Sequence, residues 1–188
     1  MRKLIIVAAL SISSAVLAGC GTQNPADAPC ASVQNDSLTR APGFVLSDEL
    51  TEVKIGEDGT LMLLSNRLTG HNYAGGAGLW RMFYNTKDEK EMQIDGSDNT
   101  PVVTKDGNTV TISYRNLVHR GKALNMDLTL TVSLEDGTVR FGSTLANNEP
   151  HTIIRELQYP LVGDMDLPEG HKLLTTHTGG QVFDDPID

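Results

Sequence analysis

Two cysteines in a chain of 188 residues are too few for a disulfide framework or a cysteine-rich metal site. Aromatic side chains make up only 5 % of the sequence, so a buried core has to be built mainly from aliphatic residues. Basic residues are scarce as well: 15 Lys and Arg stand against 24 Asp and Glu, giving a formal net charge of −9. No basic stripe, run of like charge or interleaving of aromatic and basic residues occurs, which excludes nucleic acid as a partner. The same acidity disfavours anionic lipid surfaces. The apolar run from Leu4 to Val16, interrupted by Ser11, Ser13 and Ser14, falls short of the roughly 20 residues that a membrane-spanning helix needs.

What that run does fit is an export leader. Arg2 and Lys3 form a positive start, the apolar run follows, and Leu17-Ala18-Gly19-Cys20 closes it. This tetrapeptide resembles the lipobox of bacterial lipoproteins, in which the cysteine thiol receives a diacylglyceryl group and the chain is cut just before it. By that resemblance residues 1–19 are a signal peptide, and Cys20 is the lipidation site and first mature residue. Loss of Arg2 and Lys3 makes the net charge more negative by two. Two or three acyl chains hold a protein on a membrane without crossing it, so the expected location is the cell envelope. Gly21 stands where an aspartate would signal inner-membrane retention in enterobacterial sorting. The expectation is therefore a periplasm-facing outer membrane in a Gram-negative host, or the outer face of the cytoplasmic membrane in a Gram-positive one.

Residues 20–43 hold Pro, Ala, Asn, Asp and Ser with almost no large apolar side chain, the composition of a flexible tether. Cys30 lies in it without a partner in the chain if Cys20 is lipidated, and it reads as an incidental residue. The domain expected to fold spans residues 44–188.

In that domain Asp-Gly dipeptides at 58–59, 95–96, 106–107 and 136–137 mark turns between strand-like runs. Runs fall at Thr51 to Ile55, Thr60 to Ser65, Leu79 to Tyr84, Thr109 to Tyr114, Ile153 to Leu161 and Leu173 to Thr176. The best hairpin joins Leu124 to Leu134 with Thr138 to Leu145. Met126, Leu128, Leu130, Val132 and Leu134 alternate with polar residues in its first arm, and Val139, Phe141 and Ser143 alternate likewise in its second. Alternation of this kind belongs to antiparallel sheets with one buried face. No helical period with caps follows the leader. The expected fold is an all-β antiparallel sandwich of about nine to eleven strands. The acidic end, Phe183 to Asp188, reads as a loop. An uncovered last edge would be a liability, so the sandwich is expected to be incomplete at its C-terminal end, the chain being a truncated copy or a fragment of a longer protein.

Two stretches carry a further likeness. Leu64-Ser65-Asn66-Arg67-Leu68-Thr69-Gly70-His71-Asn72-Tyr73 followed by Leu79-Trp80-Arg81, and later Arg155 to Pro160, Leu173-Leu174 and Gly179 to Pro186, resemble the galactose-mutarotase-like β-sandwich domain that precedes the barrel of certain bacterial glycoside-hydrolase-like proteins. The resemblance covers residues 44–186 and rests on short structural motifs. It implies a supersandwich, a carbohydrate context, and a C-terminal catalytic barrel that this chain does not include. No residue matches the histidine and glutamate set of aldose epimerases, so no catalytic residue is carried over.

Read on their own chemistry, the remaining candidates are few. Asp95 with Asp98, and Asp164 with Asp166, lie among turn residues, where Asp bonds its own backbone. Glu156 next to Arg155 reads as a solvent-facing pair. The five histidines (His71, His119, His151, His171 and His177) are dispersed, and no metal site or cofactor is expected. The Gly75-Gly76-Ala77-Gly78 cluster has neither the serine of a nucleophile elbow nor the Lys of a phosphate loop, and it reads as a mobile loop between strands. Sugar rings stack on aromatic faces beside polar groups. The candidate glycan contacts are therefore Tyr73, Trp80 and Tyr84, with His71 and Arg81 as polar company. Trp80 and Tyr84 share one parity on their strand, which suits a core as well as a ligand. The functional expectation is a lipid-anchored, non-catalytic module that supports a barrel or contacts an oligosaccharide or polysaccharide. The alternative is a small envelope lipoprotein with a structural or protein-interaction role.

Overall fold

A computed structural model describes residues 43–74 and 78–162, together with the backbone strands 3–11, 172–175 and 181–184. Its strands are β1 (Lys3–Ser11), β2 (Phe44–Ser47), β3 (Thr51–Ile55), β4 (Leu61–Asn66), β5 (Arg81–Asn85), β6 (Met92–Asp95), β7 (Val102–Asp106) and β8 (Thr109–Tyr114). They continue with β9 (Val118–His119), β10 (Lys122–Ala123), β11 (Met126–Glu135), β12 (Thr138–Asn147), β13 (Ile153–Gln158), β14 (Lys172–Thr175) and β15 (Gln181–Asp184). Every pairing is antiparallel, and the fold is all-β and sandwich-like. A five-stranded sheet in the order β1-β12-β11-β8-β7 forms one wall. The sheets β2-β3-β4 and β13-β5-β6 share a single core with it, and β9-β10 and β14-β15 form two-stranded pairs.

The wall follows from alternation. Across it run the rows Tyr114, Leu128, Leu145; Ile112, Leu130, Ser143; and Val110, Val132, Phe141, each set by cross-strand register. Every one of these side chains is buried. A slip by one residue would turn the whole set outward. The turn that fixes the register of the long hairpin is Asp136-Gly137, with φ of 47° and 73°. Two successive positive φ values define the tight turn whose twist matches the strands. Asp48 secures this turn from the β2–β3 connection: its carboxylate accepts from the backbone N–H groups of Leu50, Thr51 and Gly137. Burial raises the Asp48 carboxyl, but those three bonds and the Arg67 charge outweigh it and hold the group below the ordinary carboxylate value.

The facing sheets bury Leu46, Val53, Ile55, Leu61, Leu64, Met82, Tyr84 and Ile94. Trp80 fills the space between layers with its ring edge-on to Tyr114 at 5.2 Å. Among the described residues no acceptor meets its indole Nε1 with hydrogen-bond geometry. Gly96 explains part of that packing, because a Cβ there would stand 2.8 Å from Trp80 Nε1.

Several expectations are corrected here. From residue 44 onward fourteen strands occur among the described residues, against an expected nine to eleven, because short pieces such as β2, β6, β7, β9 and β10 carry too little alternation to be legible. Asp95-Gly96 does not turn a hairpin. Asp95 precedes a single 3-10 turn, Gly96–Asp98, and the glycine there permits the close approach of Trp80. The acidic end is not all loop, since Gln181–Asp184 pairs with Lys172–Thr175. Apart from these corrections, Lys3–Ser11 is extended and pairs along β12. Cys20, Cys30, the tether, the 75–77 part of the glycine loop, Asp164, Asp166, His171 and His177 lie outside the described residues.

Candidate functional site

Three connections converge on one cavity of about 570 Å³. The β5–β6 connection brings Thr86 to Glu89, the β9–β10 pair brings His119, Arg120 and Lys122, and the β12–β13 connection brings Glu149 to Thr152. Tyr84, Met92 and Leu124 complete the lining.

Each connection is held by its own residues. In the first, the Thr86 hydroxyl accepts from the N–H groups of Asp88 and Glu89, while Asn85 accepts from Glu91 N–H. In the second, Asn99 brackets β9 by accepting from Val118 N–H at 2.7 Å and donating to its carbonyl at 3.3 Å. The β9–β10 turn at Arg120-Gly121 has both φ values positive. In the third, Asn147 accepts from Glu149 N–H and donates to the Thr152 carbonyl. Side-chain bonds to local backbone are how irregular segments satisfy groups that have no ladder partner.

At the cavity wall the Tyr84 hydroxyl and His119 Nδ1 are 2.6 Å apart, with the rings edge-on at 5.7 Å. Burial raises the phenol above its ordinary value, against the Arg120 charge and with Glu89 and Glu149. Burial, reinforced by Arg120, lowers the imidazole, against Glu89 and Asp98. At neutral pH both partners are therefore uncharged. Two tautomers satisfy their bond: the phenol donates and leaves Nε2 as a donor, or Nδ1 donates and leaves Nε2 as an acceptor.

The ionic groups around the pair balance. Arg120 faces Glu89 at 3.6 Å and Lys122 faces Glu149 at 3.8 Å. Glu149 also accepts from the Asn125 N–H at 2.7 Å. Lys87 and Asp88 add one charge of each sign. A phosphate or polyanion would need an excess of cations, which this lining lacks. Donors and acceptors of both kinds beside the apolar surfaces of Met92, Leu124 and Pro150 suit a neutral ligand with many hydroxyls. No three metal-ligating side chains converge among the described residues.

The five candidate contacts do not form one site. Tyr84 belongs to the cavity, though it is almost wholly buried and leaves little ring surface for a sugar to stack on. Trp80 is 0 % exposed, so its ring has no face to offer a sugar. Arg81 projects from the opposite side of β5, where its Nε donates to Asp95 at 2.6 Å. His71 and Tyr73 sit together on the loop after β4, with ring centroids 6.5 Å apart. Of the histidines, His119 and His151 line the same cavity and His71 does not. His119, Arg120, Lys122, Glu149 and His151 were not legible as a group. The one local signal was the Arg-Gly dipeptide at 120–121, which marks a tight turn between two very short arms.

The site and the sheets thus define a class: an antiparallel all-β sandwich-like protein with a charge-balanced polar cavity built on three turns. Compared with known proteins, the chain matches no family model, no curated protein and no solved structure.

Proposed function

We propose that this chain is a lipid-anchored, non-catalytic β-sandwich module of a carbohydrate-active protein, held to the cell envelope through Cys20 and contacting neutral glycan at the Tyr84–His119 cavity. The observation that carries the glycan reading is the uncharged Tyr84–His119 pair set in a charge-balanced, partly apolar cavity. Saccharide hydroxyls need donors and acceptors at short range, and a C–H face needs an apolar wall. Glycoside hydrolysis needs one carboxyl kept protonated and another ionised. Glu89 and Glu149 are each engaged by a cation, Arg120 and Lys122, which supports a binding role over a hydrolytic one. The sequence likeness to galactose-mutarotase-like sandwiches points in the same direction. Lipidation at Cys20 rests on the Leu-Ala-Gly-Cys pattern.

The test is a panel of neutral and acidic oligosaccharides presented to the mature chain, with His119→Ala as control. Binding to one or more neutral glycans, weakened about tenfold by the loss of one good hydrogen bond in His119→Ala, is the expected result. A folded chain that binds no member of the panel overturns the reading and leaves a structural envelope role.

A further inference from the structure

We infer that the β12 edge is a strand-pairing surface through which two mature copies of this chain join. The inference rests on the proposal that residues 1–19 are removed ahead of Cys20.

The two edges of the five-stranded wall differ in how they are protected. At one end β7 is five residues long, almost wholly exposed, and carries Lys105 and Asp106. Short length and charge are the ordinary devices that keep an edge from pairing. At the other end β12 is ten residues long, pairs with β11 without a bulge and contains no proline. Its one charged residue is Arg140, and its inner face carries Val139, Phe141, Ser143 and Leu145 into the core. That edge accepts a strand: Lys3–Ser11 pairs with it over nine consecutive residues, from Lys3 opposite Ala146 to Ser11 opposite Thr138. Cleavage before Cys20 takes this partner away and exposes the longest backbone edge of the wall.

A second copy of β12 fits that edge by its own register. Antiparallel pairing centred on Gly142 keeps residues of one face together. It sets Val139 opposite the second copy's Leu145 and Phe141 opposite its Ser143, so a large side chain meets a small one. On the outer face Arg140 meets Thr144, and Gly142 meets Gly142. No like charges oppose each other, and nothing crowds the two-fold axis. Anchoring of both copies in one membrane raises their effective concentration and favours such an edge contact.

The register makes a prediction with opposite signs at one position. Thr144 is half-buried on the outer face. Thr144→Lys places a cation against Arg140 of the second copy, and Thr144→Glu places an anion there. The experiment is native mass spectrometry of the mature lipoprotein and both variants released from detergent micelles, with thermal melts to verify folding. The expected result is a dimer whose dissociation constant rises about tenfold or more in Thr144→Lys and falls in Thr144→Glu. A correctly cleaved chain that stays monomeric overturns the pairing, as do two variants that shift the constant in the same direction. A purified chain whose mass still includes residues 1–19 overturns the lipoprotein reading, and with it the open edge.

Discussion

The central part of the wall, β8, β11 and β12, and the cavity built on three turns are made by different rules. In the wall, each residue's environment is decided by parity alone. Leu128, Leu130 and Val132 are fully buried, while Thr129, Thr131 and Ser133 between them are half-exposed. In the cavity, environment is decided by where three turns end, and Tyr84 and His119, joined by a hydrogen bond, are 35 residues apart in sequence. The wall is therefore held chiefly by its repeated apolar rows, whereas the cavity depends on a handful of polar contacts. Stability should reside in the first region and ligand chemistry in the second.

The strongest way to break that division is to cut into the wall. Leu130 is fully buried at the centre of the row Ile112, Leu130, Ser143. Leu130→Ala should destabilise the fold by about 2–5 kcal/mol, the range for a large-to-small change that leaves a cavity. Urea unfolding checks it. A change well under 1 kcal/mol would mean that the three-strand wall does not carry the core.

Legibility in the sequence divides along the same line. Thr109–Tyr114, the Met126–Glu135 arm and the Asp136-Gly137 turn could be read almost to the residue, because one buried face imposes a strict period of two. Val102–Asp106 could not, because an exposed edge strand has no buried face to impose alternation. Met92–Asp95 buries only Ile94, too little to set a pattern. Trp80 and Tyr84 were visible as residues of one parity, and both point into the core as parity requires. What parity could not convey is that the Tyr84 hydroxyl emerges beside His119, since β9 is two residues long and has no period of its own. Sequence reading reaches as far as repetition does, and the cavity is made of segments that do not repeat.

A smaller effect sharpens the comparison through pH. The His119 imidazole is lowered from its ordinary value of 6.5, first by burial. The unfolded chain therefore binds the proton more readily than the folded one in the window below about pH 6.5. Stability is complete above that value and is lost as pH falls through the folded-state pKa. Denaturation midpoints followed from pH 7.5 to 5 should show this loss, and His119→Gln should remove the His119 component. Saccharide affinity should fall as the folded-state imidazole takes up its proton, because an imidazolium donates from both ring nitrogens and His119 then offers no acceptor in either tautomeric arrangement of the pair. An unchanged pH profile in His119→Gln would separate the cavity from the acid sensitivity of the fold.

The smallest effect is expected at Arg81, and its smallness is informative. Arg81 lies on the strand that supplies Tyr84, but its side chain leaves the opposite face and pairs with Asp95, which also accepts from Gln93 Nε2 at 2.6 Å. The Arg81 side chain is 41 % exposed and that of Asp95 30 % exposed. Burial raises the Asp95 carboxyl, while the bonds from Arg81 and Gln93 lower it by more. An ion pair as wet as this contributes about 0.2–1 kcal/mol, because water screens the attraction and two long side chains lose freedom. Arg81→Met keeps the apolar stem and removes the charge, so its cost should stay within that range. The same variant should leave saccharide affinity unchanged, since β5 separates Arg81 from the His119 side of the sheet. A tenfold loss of affinity in Arg81→Met would instead move the binding surface to the Asp95 face, lined by Gly78, Ser97, Leu161 and Val162, and make the three-turn cavity a structural feature only.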